Sequence, residues 1–271
     1  MKQNTVEGNR EGLIKKVEKT NPELIRRLRR VLWYFTSKGI MSRRRLRSMR
    51  DLHRGERGFI IGNGPSLKKM NLRHLADEHT FSLNRGYLYY DRIGQPCKYH
   101  VAVNKYVLMQ WSEDVAALPN IKFLTWGARR WFPDHPSIIY PAGPVRTEPP
   151  RFSTDPTRDL WAGATVTYVA MQLAFYFGFK QVILIGVDHR FKAQGPAHKL
   201  VTSTGEDVDH FDPDYFGEGT QWQLPDLETS ELAYTLARHY YHHDGRQILD
   251  ATLDGALSVF PKVSYESLFT P

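Results

Sequence analysis

Residues 59–67 read FIIGNGPSL, an apolar run that breaks into two glycines, a proline and a serine. A run of this kind bounded by Gly and Pro predicts a buried strand ending in a tight turn. The turn is not a P-loop, because no Gly-Lys-Ser or Gly-Lys-Thr follows to set a lysine on a terminal phosphate. It is not a full dinucleotide fingerprint either: the third glycine is missing, and no acidic residue ends the next strand. What it predicts is a sharp strand-to-helix turn with outward backbone N–H groups, and Ser66 capping the next helix.

The same alternation continues downstream. Apolar runs at 80–84, 99–104, 121–126, 137–140, 181–188 and 247–251 join 58–62 as strands, and 66–76, 86–92, 106–118, 164–177 and 228–243 read as helices. Strands separated by helices predict an α/β fold, a Rossmann-like and mostly parallel sheet with helices on both faces. Residues 165–187, TVTYVAMQLAFYFGFKQVILIGV, carry a single charge, but Gly178 and Lys180 divide them into a helix-length and a strand-length piece. A buried helix feeding a buried parallel strand explains them better than a membrane span. Residues 141–160, rich in Pro and charge, read as a surface crossover. Residues 189–227 lack periodicity but hold many His, Asp, Gly and Tyr, and read as a lid.

Charge is unevenly spread. Residues 1–58 hold 17 Lys and Arg against 6 Asp and Glu, a net +11, whereas the rest hold 20 against 23, a net −3. The expected organisation is a basic helical extension over 1–57 and a nucleotide-binding catalytic domain over 58–271, with the lid at about 189–227. Within the extension, PELIRRLRRVLWYF (22–35) and SRRRLRSMRDLHR (42–54) both read as helices. The first carries a stripe of Leu24, Ile25, Leu28, Val31, Leu32 and Phe35, flanked by Arg26, Arg27, Arg29 and Arg30. A basic amphipathic helix suits peripheral contact with an anionic membrane; packing on the body or on a partner accounts for it equally well. Nucleic acid is not an expected partner, since the body has no basic groove. The one cysteine, Cys97, excludes an internal disulfide, and the N-terminus lacks the apolar core of a signal peptide. A cytoplasmic location is expected, with the inner membrane face as an addition left open, as is a homo-oligomer.

Open α/β sheets bind ligands beyond the carboxyl ends of their strands, where strand order reverses. There this chain delivers Gly62-Asn63-Gly64, Leu83-Asn84-Arg85, Val103-Asn104-Lys105 and Gly186-Val187-Asp188-His189. An Asn side chain offers a donor and an acceptor, which suits ribose hydroxyls, base edges and phosphate oxygens without a metal. One strand-ending Asn is an ordinary turn residue; three on successive strands point to a site. A second anion element is WAGAT (161–165), where Gly163, Ala164 and Thr165 precede an apolar helix whose dipole favours a phosphate. Other constellations are weaker. Asp-Val-Asp (207–209) and Asp-Pro-Asp (212–214) fit the loose pattern of metal-dependent nucleotide-sugar enzymes, but Asp188, at a strand end, is the better metal contact. His242 and His243 are adjacent on a helix and diverge; Cys97, after Pro96 at the start of a strand, does not read as a nucleophile, and Trp126, Trp131 and Trp222 read as core in preference to stacking on a sugar or base.

FIIGNGPSL, the Asn-ended strands and AGATVTYVAMQLAFYFGFKQVILIGVDHRF together resemble the MptE-like (DUF115) group. More distantly, they resemble the bacterial sialyltransferases of glycosyltransferase family 42. The likeness runs from about Gly58 to about Phe260 and leaves out the extension. It implies a modified Rossmann fold with a small lid which, in the sialyltransferase branch, binds a cytidine nucleotide sugar. Carried onto this chain, it puts Asn63, Gly64 and Ser66 at phosphate or ribose, and Asn84 and Asn104 along nucleotide and sugar. Gly163, Ala164 and Thr165 fall where the sialyltransferases hold the donor's carboxylate and phosphate with a Thr-Ser-Gly turn. His210, in DVDHF, becomes the catalytic base, and Tyr215 the substitute for a family tyrosine on the leaving phosphate. Phe191 stands where that tyrosine is expected.

The implied reaction transfers an acidic sugar, sialic acid or a related nonulosonate, from a CMP-activated donor to a hydroxyl of a glycan or glycolipid. A histidine, whose ordinary pKa is near neutrality, suits removal of the hydroxyl proton. Helix amides, a tyrosine and Arg190 or Lys192 suit the departing phosphate, and Asp207, Asp209 and Asp212 are placed to orient His210. No cofactor is then required. The MptE-like branch implies instead an ATP-dependent pyrophosphokinase acting on 6-hydroxymethylpterin, with Mg²⁺ bridging the phosphates. A nucleotide-binding interaction protein without catalysis is the third reading.

Overall fold

The computed structural model describes residues 22–143, 145–193 and 195–269, with the side chains of 22–27 and 29 outside that description. Leu24, Ile25, Arg26, Arg27 and Arg29 of the basic stripe therefore lie outside the described side chains. The chain divides into two units, 1–41 and 42–271. Helix α1 (Pro22–Phe35) forms as the pattern requires, and its Leu28, Val31, Leu32 and Phe35 are all exposed. Helix α2 covers Ser37–Ser48. The expected helix over 42–54 does not run on, because Asp51 takes a left-handed φ of 55° and the 51–55 backbone turns to bond elsewhere. Asp51, His53 and Gly55 N–H donate to the carbonyls of Tyr176, Phe177 and Gly178. The break in charge at 58 and the break in packing at 42 thus do not coincide, and 42–57 belongs to the body.

The body holds β1 (Arg57–Ile61), β2 (Thr80–Leu83), β3 (Tyr99–Ala102), β4 (Ile121–Leu124), β5 (Ile138–Ile139), β6 (Gln181–Ile185), β7 (Leu200–Thr202), β8 (Gln221–Gln223) and β9 (Gln247–Asp250). Seven of them build one sheet in the order β5-β4-β3-β2-β1-β6-β9, parallel at every pairing. Flanking helices are α3 (Tyr90–Ile93), α4 (Lys105–Gln110), α5 (Ser112–Ala117), α6 (Val166–Tyr176) and α7 (Leu227–His243). This is the Rossmann-like α/β architecture the strand–helix alternation predicts. Three of the expected helices differ. The 66–76 segment is two 3₁₀ turns, Pro65–Lys69 and Leu72–Leu75, the second started by Asn71 accepting from Arg73 N–H at 3.2 Å. The 86–92 segment opens as a 3₁₀ turn, Gly86–Tyr89, before α3. The 106–118 segment breaks at Trp111, whose φ of −127° leaves the helical range.

The sequence that looked like a membrane span is α6 and β6. Thr167 through Tyr176 of α6 are all buried, the expected state of a helix that is apolar on every side. No helix among the described residues is long and apolar enough to cross a membrane. The 141–160 crossover is fastened by Gln172 inside α6. Its Oε1 accepts from Ser153 N–H (3.0 Å) and Trp161 N–H (3.2 Å), and its Nε2 donates to Trp161 O (2.8 Å) and Tyr168 O (3.1 Å). One fully paired buried amide thereby fixes where the 161–165 turn arrives.

The 189–226 segment is more than a loop. It carries the antiparallel β7–β8 ribbon, and its Phe211, Tyr215 and Phe216 join a core cluster with Leu67, Tyr89 and Val107. Phe211 N–H donates to Asn63 O at 2.8 Å. Gln110 and Gln221 exchange hydrogen bonds at 2.9 and 3.0 Å.

Candidate functional site

Strand order reverses between β1 and β6: the chain proceeds outward from β1 to β5, then returns to lay β6 on the other side of β1. A cleft of about 410 Å³ lies beyond the carboxyl ends of these strands, where this topology opens a ligand site. Asn63, Gly64, Asn84, Asn104 and Asp188 line it from the strands, Ala164 and Thr165 from the α6 turn, and His210 and Tyr215 from the lid lobe. Ser66 and Gly163 lie outside its lining.

The opening Gly-Asn-Gly-Pro-Ser turn works as a clasp. Gly64 N–H donates to Gly186 O at 2.8 Å, and a Cβ at 64 would fall on the Asp188 carboxylate. Asp188 accepts from Ser66 N–H through Oδ1 (3.0 Å) and from the Ser66 hydroxyl through Oδ2 (2.7 Å). The expected helix cap by Ser66 is therefore replaced by a cross-link to the segment after β6, and the N–H groups of 64 and 66 are used within the protein. Burial pushes the Asp188 carboxyl up, with the Ser66 hydrogen bonds opposing.

The asparagines have separate duties. Asn63 Nδ2 donates to Leu83 O at 3.0 Å and ties β1 to β2, while Asn63 Oδ1 and Asn84 Oδ1 are buried without a partner. Asn84 holds a φ of 50°, a left-handed conformation that Asn tolerates better than most residues. An unpaired buried acceptor costs about 1–3 kcal/mol, and this rim carries two of them. Asn104 caps α4, its Oδ1 accepting from Tyr106 N–H (2.9 Å) and Val107 N–H (3.4 Å). Only its Nδ2 is left for a ligand.

Across the cleft, Gly163 and Ala164 take φ of 50° and 62°, and Thr165 caps α6 by accepting from Thr167 N–H at 3.3 Å. The first turn of α6 lines the cleft, so the positive end of its dipole faces that space. In the lid lobe, His210 Nδ1 meets Asp207 Oδ2 at 2.7 Å, and its ring stacks on Tyr215 with centroids 4.0 Å apart. Asp207 is itself held, accepting from Asp209 N–H (2.9 Å) and Phe216 N–H (3.2 Å). Of the three neighbouring carboxylates it alone orients His210. Asp209 accepts from Lys192 and Ala193 N–H, and Asp212 from Asp214 N–H. With Nδ1 taken, Nε2 is the nitrogen left for chemistry. Burial raises the pKa of the Tyr215 hydroxyl; its oxygen accepts from Arg85 N–H at 3.3 Å.

Several residues were not read from the sequence. Arg85 donates to Asp214 O (2.7 Å) and to Tyr215 O, and its guanidinium lies 4.1 Å from the Trp111 ring, fastening the lid lobe to β2. Its signal was its place directly after Asn84. Asp226 accepts from Thr229 N–H at 3.0 Å as the cap of α7, and also faces His198 Nε2 (3.0 Å) and Arg146 (3.7 Å) in the cleft wall. Burial alone would raise the Asp226 carboxyl; hydrogen bonds from Thr229 and His198 outweigh it and hold the pKa below the ordinary value. The cap was legible as Asp before a helix; nothing in the sequence marked His198.

These features define a Rossmann-like domain with a built crevice at its topological switch point. No family model matches the chain, and no curated protein matches it. Among solved structures it is similar to the MAf glycosyltransferase from Magnetospirillum magneticum AMB-1, at 17% identity and a TM-score of 0.51. The likeness covers 84% of this chain and 38% of that one, and it is a likeness of fold.

Proposed function

We propose that this chain is a glycosyltransferase-like domain that takes a CMP-activated acidic sugar, a sialic acid or related nonulosonate, and passes it to a hydroxyl acceptor. The observation that carries the reading is the Asp207–His210 pair, at 2.7 Å, lining the same cleft as the α6 N-terminus and the unpaired oxygens of Asn63 and Asn84. The resemblance of the quoted motifs to the sialyltransferases, and the fold shared with a glycosyltransferase, point the same way.

In this reading the Asn63 and Asn84 oxygens accept from ribose hydroxyls or the cytosine amine, and the phosphate rests at the first turn of α6. His210 Nε2 takes the acceptor proton as the hydroxyl oxygen attacks the anomeric carbon. The bond from that carbon to the phosphate oxygen breaks, and CMP leaves with both bonding electrons. Asp207 fixes the tautomer that leaves Nε2 unprotonated, and stabilises the imidazolium that forms. The α6 amides stabilise the charge on the leaving phosphate. The pyrophosphokinase reading gains no matching support, since both oxygens of Asp188, its best metal contact, are engaged by Ser66.

The test is CMP release from a CMP-nonulosonate donor, run beside thermal shifts with CMP, CDP, ATP and GTP, each in Mg²⁺ and in EDTA. Stabilisation by CMP in EDTA, with turnover lost in His210→Ala while CMP still stabilises, is the expected result. Stabilisation by ATP with Mg²⁺ alone, or unchanged turnover in that variant, would replace the reading.

A further inference from the structure

At the amino ends of the strands, three ligating groups converge on one point. His53 Nδ1 and His79 Nε2 each lie 2.7 Å from the same oxygen of Glu56, and the three atoms fall within 4.8 Å of one another. The length of β1 puts this cluster roughly 15 Å from the cleft, and none of its residues lines that cleft. We propose that His53, Glu56 and His79 bind a divalent transition metal of zinc type, which clasps the turn before β1 to the start of β2.

The two histidines are held in place before any ion arrives. His53 is 3% exposed, its ring stacks on Phe179 at 4.6 Å, and its Nε2 meets the Tyr99 hydroxyl at 2.7 Å. A metal-bound imidazole characteristically has such an outer partner on its far nitrogen. Both segments are pinned by main-chain bonds: His53 N–H donates to Phe177 O at 2.7 Å, and Phe59 N–H to His79 O at 2.8 Å. Two imidazoles and one carboxylate select zinc-type ions over Mg²⁺ or Ca²⁺. Zinc bonds of about 2.0–2.2 Å set tetrahedral ligand atoms about 3.3 Å apart. Glu56, whose side chain is 48% exposed, moves out from 2.7 Å to that spacing by rotating, and its solvent side leaves room for water as a fourth ligand.

The proton balance identifies an antagonist. A ring that gives one nitrogen's lone pair to the metal carries its N–H on the other. His53 then donates from Nε2 to the Tyr99 oxygen. His79 carries its N–H at Nδ1, where the Lys98 ammonium stands at 3.2 Å. Lys98, exposed on the surface, must swing away for the ion to bind.

The test uses the full chain, stripped with EDTA and titrated with ZnCl₂ by calorimetry and thermal unfolding, with Co²⁺ absorption as the geometry probe. The expected result is one zinc per chain, a midpoint raised by about 5 °C and lowered again by EDTA, and tetrahedral Co²⁺ bands. His79→Ala and Glu56→Gln weaken binding by about tenfold or more, Lys98→Ala tightens it, and His239→Ala, which breaks the exposed His239–His243 pair on α7, leaves it unchanged. Should His79→Ala fail to fold, Glu56→Gln and the wild-type Co²⁺ spectrum decide. Absence of binding at micromolar metal, or zinc affinity that survives both ligand substitutions, overturns the site.

Discussion

Replacing Gly64 with Ala is expected to destabilise the body by about 3 kcal/mol. The added Cβ would overlap the Asp188 carboxylate and lie 2.9 Å from the Gly186 carbonyl. The carbonyl belongs to the backbone directly after β6, which Gly64 N–H already binds, so the carboxylate must rotate away. It then loses the Ser66 hydroxyl at 2.7 Å and the Ser66 N–H at 3.0 Å. Hydrogen bonds to a charged acceptor contribute about 1.5–3 kcal/mol each. Part of that loss is recovered, because burial disfavours the charged carboxylate and rotation rehydrates it. At about 2–4 °C per kcal/mol for a domain of this size, the midpoint in thermal unfolding followed by circular dichroism drops by roughly 6–12 °C. The clash also predicts strong coupling: in an Asp188→Ala background the same substitution is far milder. A midpoint within about 3 °C of wild type, or additive effects in the double variant, would refute the clasp.

Three further outcomes are expected. Asp207→Asn lowers turnover by about 10²–10⁴-fold without weakening CMP affinity, as steady-state kinetics beside calorimetry will show. Arg85→Ala removes the bonds to Asp214 O and Tyr215 O and costs about 2–3 kcal/mol; limited proteolysis then cuts 189–227 before global unfolding. His100 is fully buried, and burial, helped by nearby Lys122, lowers its pKa from 6.5 to about 3. The unfolded chain therefore takes up a proton that the fold refuses, so stability present above pH 6.5 is lost as pH falls toward 3. At pH 4 the loss from this group is about 3 kcal/mol. Urea midpoints across that range should fall less steeply in His100→Gln.

The parallel sheet was legible because every strand of it is an apolar run cut off by turn residues, and β1 and β6 are the strongest such runs. The rim of the cleft was legible for the same reason: strand ends can be counted, so Asn63, Asn84, Asn104 and Asp188 could be placed on one edge before any distance was known. What escaped notice depends on long-range pairing. Ser66 before a helix reads as a cap, and only the return of the chain along β6 brings Asp188, 122 residues later, to its hydroxyl. The β7–β8 ribbon is three residues wide on each side, too short for periodicity to register. Arg85 and His198 act through lid contacts that local pattern does not encode, and His53, Glu56 and His79 meet because β1 and β2 begin side by side. The charge boundary at 58 and the packing boundary at 42 differ because the 51–55 turn packs through its backbone, which composition does not report.

The central claim, that the β1–β6 crevice holds a cytidine nucleotide, is tested most directly by calorimetric titration of CMP into the full chain in EDTA. The expected result is a single site per chain that is retained in His210→Ala and weakened by about tenfold or more in Asn84→Ala, where an acceptor for a buried ligand donor is lost. No heat of binding in wild type, or an affinity indifferent to Asn84→Ala, would contradict it.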